Sequence, residues 1–479
     1  MKKYGIMAAI VAVIVAGVWG WSSMHKRDDS MASSLPADVT MVGRVDIKTL
    51  FMEYGLSHKE MLKVVNKFLF YSNDDDSGID FLTSAYVFSS QGYFGAVIPL
   101  SSEKKFEEFW TSKVGFMVES QRGLKWTNYG DNFLMVFDKD RAVLMGPAVG
   151  SQQDYLRNTL ADCMKQKASE SGMQSRLYEA LSKRSEPIAM IANLESMPKD
   201  FFSSYFDWIP ADDGLKNLDI CTGLTLKRDR IQLSLSMLSG NKAVEQIQSK
   251  FDEAFRPVNG SLLKTAPANA FFHIEMGIDG AKLLTLLREY PEVRTKLLLV
   301  NTIFDLDMIL KSISGDVAIS CPKIPLINKP DVLMQAQLDS DDFMQNVGDW
   351  NDDISMAANV RFFSKDASHG LCIAQGERYY FAVSNNVLRI SNSEGIAYAE
   401  GHNDMKYAME DEMKDCRIYA SVNLKGIKPW LQMIPYAGSL AVFEQLRISV
   451  PDAHELKAEL VMEEGTDLLK TIMNYLEKQ

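Results

Sequence analysis

The sequence lacks the short patterns that mark most catalytic and metal sites. None of its six histidines lies at the HxH, HxxxH or HExxH spacing of zinc sites, and its five cysteines form no CxxC pair. It also has no GxGxxG loop, no Walker motif and no GxSxG nucleophile elbow. We therefore identify no catalytic residue from the sequence and expect no cofactor.

Positive charge is scarce as well. The 479 residues include 51 basic and 63 acidic side chains, for a formal net charge of −12, and the basic residues form no stripe. Because such a body repels phosphate backbones, nucleic acid is excluded as a partner. The cysteines are dozens of residues apart. This spacing favours buried free thiols, and one long-range disulfide stays open as the alternative.

A long apolar run at the N-terminus is the first positive feature. Residues 4–21, YGIMAAIVAVIVAGVWGW, carry no charge. As a helix they would span about 27 Å, close to the thickness of a bilayer core. Tyr4 stands at one end and Trp19 and Trp21 at the other, as interfacial aromatic residues do. The run predicts a transmembrane anchor that contacts the lipid bilayer. A cleaved signal peptide is the alternative.

The rest of the chain contains an internal repeat. The tripeptide PAD at 36–38 recurs as PAN at 267–269, an offset of 231, and each precedes an apolar stretch. SAYVFS at 84–89 and GDVAIS at 315–320 have the same offset. Several collinear matches indicate a duplication of roughly 230 residues. We predict an anchor and tether at 1–34, a first repeat at 35–262 and a second repeat at 263–479.

Each repeat has the pattern of an α+β fold. In IQLSLSML, residues 231–238, apolar and polar side chains alternate as they do in a strand with one buried face. Hairpin turns are expected at Gly376-Glu377 and Asn385-Asn386, and Pro291 is expected to break a helix. The predicted fold class is α+β: an N-terminal transmembrane helix followed by two tandem related halves, each of antiparallel sheets with helices packed on one face.

The apolar N-terminus, the entry LPADVTMVGRVDIKTL at 35–50 and the duplicated strand–helix pattern resemble a family of uncharacterised envelope proteins of Bacteroidetes. That family has a domain of unknown function and an N-terminal membrane anchor. The resemblance implies an envelope location and brings no catalytic residues. Together with the anchor, it predicts a single-pass protein of the bacterial inner membrane with a periplasmic C-terminal body.

One acidic stretch is a candidate cation site. In NDDDSGID, residues 73–80, Asn73, Asp75 and Ser77 fall at the ligand positions of a calcium loop. The last ligand should be a bidentate glutamate, but Ser84 stands there. A solvated loop is therefore the favoured interpretation. His273, in FFHIEMG, is expected to be a satisfied or surface imidazole and not a metal ligand.

These observations leave two hypotheses about function. The first is a membrane-anchored, exported binding or assembly module of the cell envelope, whose partners are other envelope proteins. The second is an envelope hydrolase with a site assembled from residues distant in sequence. A deep pocket in one half, with converging carboxylates or a histidine beside a serine, would favour the hydrolase.

Overall fold

A computed structural model describes residues 31–52, 54–70, 77–129, 132–196, 215, 217–267, 270–302, 304–322, 330–350, 360–399, 413, 415–428 and 441–477. The predicted anchor with Tyr4, Trp19 and Trp21 lies outside these residues. Contacts divide the described chain into two compact units. Unit 1 contains the residues up to Asn241 together with those from Glu464 onward, and unit 2 is Lys242–Glu463.

Ten strands of the described chain belong to unit 1 and eleven to unit 2. Those of unit 1 are β1 Val39–Val45, β2 Ala85–Ser90, β3 Tyr93–Pro99, β4 Glu119–Gln121, β5 Leu124–Tyr129, β6 Phe133–Phe137, β7 Arg141–Gly146, β8 Ile188–Asn193, β9 Leu218–Leu226 and β10 Arg230–Ser239. Those of unit 2 are β11 Phe255–Arg256, β12 Phe272–Asp279, β13 Ile313–Cys321, β14 Leu333–Leu338, β15 Val360–Ser364, β16 His369–Ala374, β17 Glu377–Ser384, β18 Val387–Ser391, β19 Ile418–Asn423, β20 Phe443–Asp452 and β21 Glu455–Met462.

The described α-helices are fewer than the strands. They are α1 Ile47–Met52, α2 His58–Phe70, α3 Glu103–Phe109, α4 Gln153–Lys165, α5 Arg176–Ser182, α6 Lys242–Ala254, α7 Gly280–Glu289, α8 Pro291–Asn301, α9 Leu306–Ser312, α10 Glu394–Ala397 and α11 Leu468–Glu477. Pro291 begins α8 directly after α7 has ended, as the sequence predicts, because proline fits the first turn of a helix and not its interior.

The strands of each unit form one antiparallel sheet. In unit 1 the order is β4-β5-β6-β7-β3-β2-β1-β8-β9-β10. In unit 2 it is β15-β16-β17-β18-β14-β13-β12-β19-β20-β21, with the short β11 paired to the end of β12. The two orders correspond strand by strand, so both units have the same topology within the described residues.

Unit 1 buries apolar side chains on both faces of its sheet. On one face, Tyr86 and Phe88 of β2 pack with Leu156 and Leu160 of α4. The residue between them, Val87, packs on the other face with Phe106 of α3, among others. Strands such as FLMVF and AVLMG are apolar without alternation because both of their faces are covered.

These findings correct the predicted fold class. Helices cover both faces of the unit 1 sheet, although we expected them on one face. None of the helices in the described part of the chain has the length and apolar character needed to cross a membrane. The fold is instead dominated by large antiparallel sheets. The prediction of helices on one face was wrong because the alternation of residues 231–238 does not hold for strands such as β6 and β7, whose apolar residues follow one another without alternation.

The compact units also differ from the predicted repeats, which follow the sequence and stay a prediction. Helix α6, at the end of the first predicted repeat, packs with α7 and β12 in unit 2. Helix α11, at the end of the second, packs with α2 in unit 1, where Leu469 contacts Tyr54 and Val64. The backbone N–H of Leu468 donates to the carbonyl of Arg228 at 2.8 Å. Each unit therefore includes one helix that the sequence assigns to the other predicted repeat.

Candidate functional site

Polar side chains meet on one face of the unit 2 sheet. His273 and Glu275 are two residues apart on β12, so they point to the same face. The register places Ser320 of β13 opposite His273, and the β13–β14 register places Gln335 opposite Ala318. Residues opposite each other share a face, which brings these groups together. His273 is 1% exposed, and Glu275, Asp316, Ser320 and Gln335 are 0% exposed.

The imidazole of His273 links a hydroxyl to a pair of carboxyl groups. Its Nδ1 lies 2.8 Å from Ser320 Oγ, and its Nε2 lies 3.2 Å from Glu275 Oε2. The Glu275 carboxyl is in turn hydrogen-bonded to that of Asp316. We call Glu275 and Asp316 the acid pair. His273 is thus a satisfied imidazole, as we expected from the sequence, and it is also part of a larger polar cluster.

A short segment covers this cluster. Residues 257–266, which we call the strap, connect β11 to the approach of β12 and include a 3-10 turn at Ser261–Thr265. Asp316 accepts the backbone N–H groups of Asn259, at 3.0 Å, and Gly260, at 2.8 Å. The backbone N–H of Leu262 acts on Glu275 by lowering the pKa of its carboxyl. Gly260 has a φ of 71°, a conformation that suits glycine and turns its N–H toward Asp316.

Two glutamines of β14 hold the strap from the next strand. Gln335 Nε2 donates to Thr265 Oγ1 at 2.6 Å, and Gln337 Nε2 donates to Ser261 Oγ at 2.5 Å. Gln337 Oε1 also accepts the backbone N–H of Asp316 at 2.7 Å. Side chains of β13 and β14 therefore attach the strap to the sheet. Asp316 accepts two of its backbone N–H groups, and a third, that of Val258, donates to the Cys416 carbonyl at 2.7 Å.

Burial determines the electrostatics of the cluster. It lowers the pKa of His273 to about 4, so the imidazole is neutral at neutral pH. Burial also raises the pKa of Glu275 to about 7. Asp316 has its pKa raised to about 7 by burial first and by its contact with Glu275 second. Two carboxyl groups in contact titrate together, so the acid pair holds a shared proton up to about neutral pH.

Ser320, His273 and Glu275 have the residue types of a nucleophilic hydrolase, in which a histidine takes the proton of a serine. Their setting opposes that chemistry. A substrate has no access to a hydroxyl with zero exposure. An imidazole with a pKa of about 4 is a weak base, and its acidic partner is itself protonated near neutral pH. In the folded chain, these buried side chains share protons and attach the strap to the sheet.

Unit 1 does not repeat this cluster. At the sequence offset of 231, Arg44 takes the place of Glu275 and Val42 that of His273. The buried Arg44 guanidinium donates to the carbonyls of Leu181, at 3.4 Å, and Arg184, at 3.1 Å. The same strand position therefore serves a structural role with the opposite charge.

An exposed surface lies at the edge of the unit 2 sheet. In the β15–β16–β17 register, Phe363, Leu371 and Tyr380 form one row and Arg361, Ile373 and Arg378 another, all on one side. We call this side the outer face. Phe363 is 46% exposed, and both arginines are exposed. Neither arginine makes an ion pair within the described residues. The opposite side contributes Phe362 and Phe381 to the core.

Unit 1 contains a small cavity of about 240 Å³. Its lining includes Ser33, Asp80, Thr83 and Arg141. These groups bond to one another: Asp80 Oδ2 accepts from Thr83 Oγ1 at 2.9 Å, and Arg141 Nη1 donates to Ser33 Oγ at 3.2 Å. The volume is below the roughly 300–1,000 Å³ of sites for drug-sized ligands. The lining is explained by its own hydrogen bonds and does not point to a ligand.

The predicted calcium loop is described only at its end. Asn73 and Asp75 lie outside the described residues. Ser77 is buried, and its hydroxyl accepts the N–H of Ile79 at 3.3 Å in a local turn. Within the described chain, no group of three or more His, Cys, Asp or Glu residues is placed to hold a metal ion. The loop stays a prediction.

Sequence reasoning missed Ser320, Asp316 and Glu275 as partners of His273. A signal was present, because FHIEM has polar residues two apart in an apolar strand, and GDVAIS has Asp316 and Ser320 four apart on one face. Polar residues on the buried side of a strand require partners on its neighbours. Which neighbours these are depends on a register between strands more than 40 residues apart.

The fold and these sites define a sheet-rich protein of two units with matching strand order, a buried acid–imidazole cluster in one of them and an exposed aromatic edge. The chain belongs to the family described as a domain of unknown function (DUF4836), which matches residues 70–441. No curated protein matches it significantly.

Solved structures of TP0453 are distantly similar to the chain. Crystal form IV has a TM-score of 0.29 and 10% identity and covers 46% of this chain and 82% of that one. Crystal form I has a TM-score of 0.27 and 11% identity and covers 49% and 87%. Similarity at this level carries no argument about fold or function.

Proposed function

We propose that the chain is a binding or assembly module of the bacterial cell envelope, and that it contacts a partner protein through the outer face of β15–β17. The observation that carries this proposal is a row of Phe363, Leu371 and Tyr380, exposed at Phe363 and half-buried at the other two, beside two exposed arginines that make no ion pair within the described residues. Aromatic residues and arginine are the types most enriched where proteins bind one another.

The position of the outer face supports an extended partner. Within the described residues, β15 pairs only with β16, so it is an edge strand. Edge strands offer backbone N–H and C=O groups to an added strand. Arg361 and Arg378 stand on either side of Ile373 in adjacent strands. They favour a partner segment with acidic side chains beside its apolar ones.

Crosslinking tests the surface in the full-length chain. A photoreactive phenylalanine analogue at Phe363 is expected to form one reproducible adduct with a partner protein, and the same analogue at Met117, 84% exposed in unit 1, is the control. The purified partner should bind the wild type, and Arg361→Glu with Arg378→Glu should weaken binding by about tenfold or more. Equal adducts at both positions, or unchanged binding by the double variant, would refute the proposal.

The envelope location is part of the same proposal. Its support is the resemblance to membrane-anchored Bacteroidetes envelope proteins and the apolar sequence of residues 4–21. A reporter that is active only outside the cytoplasm, fused after Gln479, should give signal. A silent reporter on a well-expressed fusion would contradict the location and leave the docking surface untouched.

A hydrolase is the second candidate, favoured by Ser320 beside His273 and Glu275. A fluorophosphonate, which bonds to an activated serine oxygen and releases fluoride, distinguishes the two. Because Ser320 is buried, we expect no labelling of the native protein. Labelling that disappears in Ser320→Ala would establish the hydrolase in place of the binding module.

A further inference from the structure

The acid pair joins the strap to the sheet of unit 2, beside apolar contacts, the two glutamines of β14 and the Val258 N–H, which donates to the Cys416 carbonyl at 2.7 Å. The strap buries Val258 and Leu263, which pack with Tyr419 of β19. Its backbone N–H groups at Asn259 and Gly260 donate to Asp316, and that of Leu262 lowers the pKa of Glu275. The strap's attachment to the sheet therefore depends in part on the charge state of two carboxyl groups.

We propose that the acid pair is a proton-binding site, and that the proton it holds keeps the strap attached to the sheet of unit 2. With the proton present, one carboxyl donates to the other, and the pair carries one negative charge. That charge is stabilised by the strap's N–H groups. Without the proton, two carboxylates are in contact in a site with no exposure, and their repulsion is unscreened.

Within the described residues, no lysine or arginine side chain pairs with either carboxyl group of the acid pair. The groups facing the acid pair on the strands beside it are uncharged at neutral pH: His273 of β12, Tyr419 of β19, and Gln335 and Gln337 of β14. The cations beside these strands are Arg256 of β11, opposite Gly277, Arg417, whose carbonyl accepts the Gly277 N–H, and Arg389 of β18, opposite Gln335. Arg417 is paired with Asp252, and Arg389 donates to the Ile396 carbonyl.

When the proton is lost, the repulsion between the two carboxylates is relieved by hydration of one of them. This hydration requires the strap to move away. The pKa values of about 7 place this transition near neutral pH. The ratio of open to attached strap rises by about tenfold per pH unit as the pH approaches this value from below, and it levels off above it, where both forms have lost the proton. Nothing in this inference depends on the partner of the outer face.

Hydrogen exchange of the intact chain tests the proposal. The protection factors of the Asn259, Gly260 and Leu262 amides, corrected for intrinsic exchange, should fall by about tenfold or more between pH 6 and pH 8. In Glu275→Gln the side-chain amide donates permanently to Asp316, so protection should stay within about twofold. The amide of Gly172, bonded to Leu35 in unit 1, is the control. A wild type without the fall, or a variant with the same fall, would overturn the proposal.

A second measurement needs no variant. The acid pair should give an infrared C=O stretch of a protonated buried carboxyl at pH 6, and this band should disappear in parallel with the protection of the strap. If the band is absent at pH 6, or persists while the strap opens, the proton-binding site is refuted even if Glu275→Gln fails to fold.

Discussion

Glu275→Gln should change how the stability of unit 2 depends on pH. The pKa of Glu275 is raised from 4.5 to about 7 in the folded chain, mainly by burial. Between these values the unfolded chain has released a proton that the folded chain retains. Stability must therefore fall as pH rises from 4.5 to about 7 and level off above that. Glutamine has no proton to release, so the variant lacks the part of this decline that Glu275 contributes and keeps the part that the buried Asp316 contributes.

The size of the effect follows from the shift. One pKa unit corresponds to about 1.4 kcal/mol, so the shift of Glu275 amounts to about 3 kcal/mol. The free energy of unfolding of the wild type, minus that of the variant, should be about 3 kcal/mol lower at pH 8 than at pH 4. Burial also lowers the pKa of His273 to about 4, which has the opposite effect, but both proteins contain His273 and the difference cancels it.

The chain's own thiols provide the assay. Cys321 is buried in unit 2 and Cys163 in unit 1, and neither forms a disulfide in the described structure. Labelling with a pyridyl disulfide across a urea series, resolved by mass spectrometry, gives the unfolding free energy of each unit separately. Glu394→Gln, which removes an exposed carboxylate of unit 2, is the matched control. A wild-type-minus-variant difference that is constant from pH 4 to pH 8, or that rises, would refute the reasoning.

Three further predictions concern packing. Leu469→Ala in α11 should lower the stability of unit 1 by about 2 kcal/mol or more, exposing Cys163 at lower urea while Cys321 is unaffected. Gly280→Ala should destabilise unit 2 and expose Cys321 early, because a Cβ there would lie 1.8 Å from the Leu310 carbonyl oxygen. Burial raises the pKa of Cys163 to about 12, so iodoacetamide should alkylate it only after unfolding; rapid reaction of the native chain would contradict this.

Local features were predictable from the sequence because their causes are local. The hairpin between β17 and β18 turns at Asn385 and Asn386, which both have positive φ, as expected. The preceding hairpin turns at Gln375-Gly376, one residue before the predicted pair. In these turns the residue that tolerates a left-handed backbone determines the outcome, and it can be identified without a partner.

The sheet faces and the cluster were not predictable in the same way. Whether Val87 is buried depends on α3, which covers that side, and periodicity within one strand does not show this. The contact of Ser320 with His273 depends on β12 pairing with β13 across 47 positions of sequence. Burial then changes which side chains of the cluster are protonated. Residue types that can form the site of a hydrolase therefore form a cluster that shares protons and attaches the strap.

The position of α11 in unit 1 has a consequence for biosynthesis. Unit 1 includes Leu468–Glu477, which follow all of unit 2 in the sequence. A ribosome therefore makes the whole of unit 2 before it makes the helix that covers Tyr54 and Val64 of unit 1. Unit 1 is therefore incomplete while unit 2 is synthesised, and part of its apolar surface stays uncovered during that time. The final packing step of unit 1 can therefore occur only in a chain that has been synthesised through α11.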